Sequence, residues 1–96
     1  MKEKLIAETA KIEWKELERF YAQGKVLHIS DDSDLVAVAA AFAEDDIEKV
    51  KELQIQNKFS AVSDEQAKQW YEDDALVWAV TVAPFILVQS VTGRLN

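Results

Sequence analysis

Apolar positions in the first part of the chain recur at helical spacing. From Glu3 to Gln23, Ile6, Ala10, Trp14, Leu17, Phe20 and Tyr21 share one broad stripe, with Lys11, Lys15, Glu18 and Arg19 opposite it. This pattern predicts a helix. Leu5 and Ile12 fit neither side, but their spacing stacks them as a second, narrow stripe. Either the helix touches two surfaces, or it breaks near Ile12 and restarts at Trp14. Gly24 follows as a left-handed cap, a conformation open to a residue without a Cβ.

After Gly24 the period changes. Lys25 to Ser30 alternates, Val26 and His28 against Leu27 and Ile29, as in a strand. Asp31, Asp32 and Ser33 are candidate N-caps for a helix from Ser33 to Glu44, which is apolar almost all round and therefore expected to be deeply buried. Asp45 to Glu48 has the acidic form of a capping box and opens a third helix through Gln56, with Asn57 as a left-handed cap. Lys58 to Val62 reads as a second strand. Ser63 to Gln66 is another capping box, starting a helix to Glu72 with Ala67, Trp70 and Tyr71 inward.

The run from Ala75 to Val91 is rich in β-branched and aromatic residues. Pro84 has no N–H to give a ladder and holds Ala83 extended, so two strands are expected, Val77 to Ala83 and Phe85 to Val91. A helix from Asp74 to Val82 is the rival reading. The expected fold is α+β, in one domain over residues 1–96, with a flexible tail at 92–96. A three- or four-stranded mixed sheet would be packed by four helices in the order α-β-α-α-β-α-β-β. Helical connections favour parallel pairing of the strands.

Composition narrows the classes of function. The chain of 96 residues has no cysteine, which removes disulfides, thiolate nucleophiles and Cys-based metal sites and suits a reducing cytoplasm. The apolar run from Ala75 to Val88 is too short for the roughly 20 residues of a spanning helix, so no membrane role is expected. Net charge is −7 and the basic residues are scattered, the reverse of a phosphate-binding surface, so no nucleic-acid partner is expected.

The chemistry-bearing residues are few. His28 is the sole histidine, and no partner is placed beside it by spacing. Asp31 and Asp34, and Asp45 and Asp46, offer oxygen ligands to a hard cation, although carboxylates near helix starts serve more often as caps. Glu13 falls at the edge of the first stripe, where a carboxylate can bind a ligand or mark the helix boundary. Trp14, Trp70 and Trp78 form either an aromatic pocket or core. Gln89 ends a core strand and needs a hydrogen-bond partner or an outward position. KVLHISD at Lys25–Asp31 and KFSAVSD at Lys58–Asp64 echo each other, as strand-then-cap grammar does without duplication.

ETAKIEWKELERF at Glu8–Phe20, DLVAVAAAFAEDD at Asp34–Asp46, SDEQAKQW at Ser63–Trp70 and VWAVTVAPFILVQ at Val77–Gln89 together resemble a bacterial family of short acidic proteins of unknown function. The resemblance spans nearly the whole chain. Asn57 stands where the family has a glycine, and Phe85 where it has a tryptophan. The resemblance implies a cytoplasmic protein with no assigned activity, cofactor or catalytic residue. Glu8, Trp14, Trp78, Pro84 and Gln89 match its motifs as site or scaffold. The expected function is therefore a non-enzymatic interaction or regulatory module, self-associating through Leu5 and Ile12. The alternative is a small metal-dependent enzyme or ligand-binding protein using clustered carboxylates.

Overall fold

The β-branched run after Ala75 supplies the middle of a five-stranded mixed sheet. The computed structural model describes residues 9–82 and 84–91. Strands β1 (Ala10–Glu13), β2 (Val26–Ile29), β3 (Phe59–Ala61), β4 (Leu76–Val82) and β5 (Phe85–Ser90) lie in the order β1-β4-β5-β2-β3. β4 and β5 pair as an antiparallel hairpin with Val82 opposite Phe85 at the Pro84 end. The helix considered for Asp74 to Val82 is thereby excluded: this segment is strand with a neighbour on each side. Both of its faces are covered, which explains why periodicity alone left it ambiguous.

Among the described residues, four helices and a 3₁₀ turn cover the sheet. On one face, Val80, Val82, Leu87 and Ile29 pack against Leu35, Val38, Ala39, Ala40 and Leu53 of helices α2 (Leu35–Ala43) and α3 (Ile47–Ile55). We call this the alanine face; its small side chains let α2 approach the sheet closely. On the other, Val26, Val77, Ala79 and Val88 pack against Trp14 and Leu17 of the 3₁₀ turn (Trp14–Leu17) and Ala67 and Trp70 of α4 (Asp64–Glu72). Phe20 and Tyr21 of the short helix α1 (Glu18–Ala22) complete this tryptophan face.

The first element differs from the helix expected over Glu3 to Gln23. Ala10–Glu13 is a strand, and regular helix begins only after the 3₁₀ turn. The open edge of β4 is the physical reason: Ala10, Lys11, Ile12 and Glu13 pair with Ala79, Trp78, Val77 and Leu76, and the Trp14 N–H donates to the Ala75 carbonyl at 2.9 Å. Long-range pairing here overrides a local helical pattern. Trp14 and Leu17, three residues apart, still share one side, as a 3₁₀ turn requires. This extra strand raises the count from the expected three or four to five. Pairing also departs from expectation. β2 and β3 are antiparallel, and the parallel pair is β2 with β5.

The turn chemistry follows the sequence with shifts of register. Gly24 and Asn57 are left-handed, at φ 74° and 58°. The Ser63 hydroxyl accepts from the Gln66 N–H at 3.1 Å, as its capping box predicts. However, Asp34, and not Asp31, Asp32 or Ser33, caps α2, accepting from the N–H groups of Val36 and Ala37. Asp46, and not Asp45, caps α3, while Asp45 is left-handed at φ 53°. Tyr71 points outward rather than into the core, at 48% exposure, with the Lys15 ammonium over its ring.

Candidate functional site

Alternation along β2 places His28 on the tryptophan face with Val26. Helix α4 crosses this face with Gln66, Gln69, Trp70 and Asp73 at i, i+3, i+4 and i+7, one side of the helix. Asp31, just beyond β2, and Ser90, the last residue of β5, close the remaining sides. These residues, with Ala75, Leu76 and Val91, line an open cleft of about 470 Å³.

The floor is aromatic. The His28 ring meets Trp70 edge-on at 5.1 Å between centroids, and Trp70 lies 5.0 Å from Trp14. Burial against this apolar floor lowers the His28 pKa from its ordinary value, and the Asp31 carboxylate opposes the shift only in part. The imidazole is therefore neutral at neutral pH and keeps one nitrogen as an acceptor. On the rim, the Gln69 amide donates to Asp73 at 2.8 Å. Among the described lining residues the charged side chains are Asp31 and Asp73, both anionic, and none is cationic.

Gln89 sets the loop that carries Asp31. Its amide is buried on the alanine side and donates to the carbonyls of Ser30, at 2.8 Å, and Ser33, at 2.7 Å. The Ser30 hydroxyl lies within hydrogen-bond reach of Asp32 (2.7 Å) and of the Ser33 hydroxyl (2.8 Å), and Lys58 donates to Asp32 at 3.1 Å. The Ser30 and Lys58 contacts hold the Asp32 carboxyl below the usual range. Gln89 is thus a positioning residue, and the partner that the sequence demanded for it is backbone.

The other candidates scatter. Glu8 and Leu5 lie outside the described residues, as does the tail 92–96. Glu13 is exposed at the end of β1. Trp14 is fully buried, and its indole N–H has no hydrogen-bond partner among the described residues. Trp78 lies on the alanine face beneath the Lys11 ammonium, away from Trp14 and Trp70, so the three tryptophans form no common pocket. Asp34 and Asp46 are spent on helix caps and Asp45 sits in a left-handed turn. Among the described residues no three His, Asp or Glu side chains converge as a metal site would need. Ile12 packs inward, opposite Val77. Sequence reading missed the cleft itself. The available signal was the polar stripe Gln66–Gln69–Asp73 running beside Trp70 on α4.

The sequence profile of a family described as "Protein of unknown function (DUF2288)" matches residues 1–90. The chain belongs to this family. It is also similar to PA1075 from Pseudomonas aeruginosa, solved by NMR in solution. That protein is 42% identical, with a TM-score of 0.80 over 91% of this chain and 81% of the other. No curated protein matches the chain. The α+β architecture therefore agrees with that expected from the sequence motifs. No helix among the described residues is long and apolar enough to cross a membrane.

Proposed function

We propose that the protein is a non-enzymatic binding module of the bacterial cytoplasm, and that its His28–Trp70 cleft receives an amine-bearing, cationic group. The observation that carries this reading is the lining of the cleft: a neutral imidazole, two glutamine side chains and the Asp73 carboxylate surround the Trp70 ring. A primary ammonium has three donors and no acceptor, and it matches an acceptor-rich, anionic rim above an aromatic floor. The cysteine-free sequence supports the cytoplasmic placement.

Butylamine and agmatine, titrated against isobutanol and acetate as neutral and anionic controls, test the proposal by amide and indole NMR shifts. The two amines should shift His28, Gln66, Gln69, Asp73 and the Trp70 indole, and the controls should not. Affinity should fall as pH drops through the lowered His28 pKa, beneath the ordinary histidine value of about 6.5, because protonation adds positive charge to the cleft. Equal shifts with isobutanol, or none with either amine at tens of millimolar, overturn the proposal. Turnover of p-nitrophenyl acetate that disappears in Ser90→Ala would replace binding by catalysis.

A further inference from the structure

β1 ends the strand order, so one side of it faces no other strand among the described residues. Which backbone groups lie on that side follows from the ladder. The Trp14 N–H bonds to the Ala75 carbonyl, so Trp14 and Ala75 are a hydrogen-bonded antiparallel pair. Such pairs alternate with non-hydrogen-bonded ones. Ile12 and Ala10 therefore turn their N–H and C=O groups toward β4, and Lys11 and Glu13 turn theirs outward.

A second copy of this strand can add to the edge only in registers that set outward residues opposite outward residues. About a two-fold axis centred within residues 11–13 these are Lys11 opposite Lys11, Glu13 opposite Glu13, or Lys11 opposite Glu13 with Ile12 on the axis. The first two bring like charges into direct opposition, which destabilises a pair. The third sets Lys11 of each copy against Glu13 of the other, on one face of the sheet, both side chains being exposed. On the opposite face the two Ile12 side chains meet as a non-hydrogen-bonded pair, the closer of the two kinds.

We propose that the protein associates with a second copy of itself through β1, antiparallel, with Ile12 on the two-fold axis and reciprocal Lys11–Glu13 pairs. The arrangement continues the five strands into a ten-stranded sheet, with each layer of helices meeting its counterpart on the same side. The contact keeps Ile12 at its centre and adds backbone pairing and complementary charge, away from the cleft.

Sedimentation equilibrium on the full chain tests it. The parent should reach a monomer–dimer equilibrium within the accessible micromolar to millimolar range. Lys11→Glu and Glu13→Lys each create like-charged pairs and should each weaken association about tenfold or more. The double variant Lys11→Glu/Glu13→Lys restores both pairs at unchanged net charge and should return to within about threefold of the parent. An equimolar mixture of the two single variants should form a heterodimer. Circular dichroism and thermal melts of each variant report on folding, which these exposed substitutions should leave intact. A parent that stays monomeric throughout, single variants that associate like the parent, or a double variant as weak as the singles each overturn the proposal.

Discussion

On the alanine face Gln89 is 3% exposed and gives its amide to two loop carbonyls. On the tryptophan face Trp14 is 0% exposed, and its indole N–H finds no acceptor among the described residues. Both side chains are buried polar groups in one small domain, but they hold the structure in different ways. Gln89 works through hydrogen bonds that fix a loop. Trp14 works through surface, as the ring on which Tyr21 and Trp70 pack at 5.6 and 5.0 Å. The difference shows which kind of substitution each face can absorb.

Truncation of Trp14 should have the largest effect. Trp14→Ala opens a cavity beneath α4 and the cleft floor and should cost about 3–5 kcal/mol, read by urea denaturation. Trp14→Phe, in contrast, loses some contact area but also removes the unpaired donor. It should remain within about 1 kcal/mol of the parent, since the two effects offset. A loss as large as that of Trp14→Ala would show that the indole N–H has a partner after all. Next comes Gln89→Leu, which preserves volume but strands the Ser30 and Ser33 carbonyls. It should cost about 1–3 kcal/mol, with faster hydrogen exchange confined to residues 30–34. Uniform exchange across the sheet would contradict the role of Gln89 as a loop clamp.

The smallest expected effect belongs to His28. Its pKa is lowered in the folded state, so below the unfolded value of about 6.5 the unfolded chain binds a proton that the folded chain refuses. Above that value the ring is neutral in both states, and its titration contributes no penalty. Stability should decline as pH falls from about 6.5 to the lowered folded-state value. His28→Gln should flatten the stability profile over that window and leave the slope at lower pH, where Asp32 titrates. An unchanged slope would move the acid sensitivity to another group.

Much of the fold could be read from local chemistry, because many of its features are local. Gly24, Asn57 and the Ser63–Gln66 box act within one turn, and their residues leave few alternatives. The bend at Pro84 and the need of Gln89 for a partner were legible for the same reason. β1 was not. Four residues with a single inward apolar side chain, Ile12, carry almost no strand signal. The helical stripe read through Ala10 and Trp14 outweighed it, and only pairing with β4 decides the segment. The caps at Asp34 and Asp46 were misplaced because neighbouring acidic residues offer equivalent oxygens, and the backbone path selects among them. The cleft was illegible for a related reason. His28, Asp31, Trp70 and Ser90 come from three different elements and the loop after one of them, and strand order alone brings them together.

That strand order also bears on how the molecule is made. β4 and β5 are adjacent in sequence and form the middle of the sheet, while β1 and the β2–β3 pair, synthesised earlier, lie on either side of them. During synthesis from the N-terminus, the earlier strands precede the hairpin that links them, and only β2 and β3 can pair with each other. β1 has no ladder at all until β4 exists, and the parallel partner of β2 is β5. The tryptophan and alanine faces likewise lack the wall that separates them. Contacts between strands far apart in sequence close slowly, so the nascent chain spends its time on the ribosome with Trp14, Val26 and Ile29 uncovered. The sheet therefore closes only once the β4–β5 hairpin has formed, and until then its apolar strands have surface to protect.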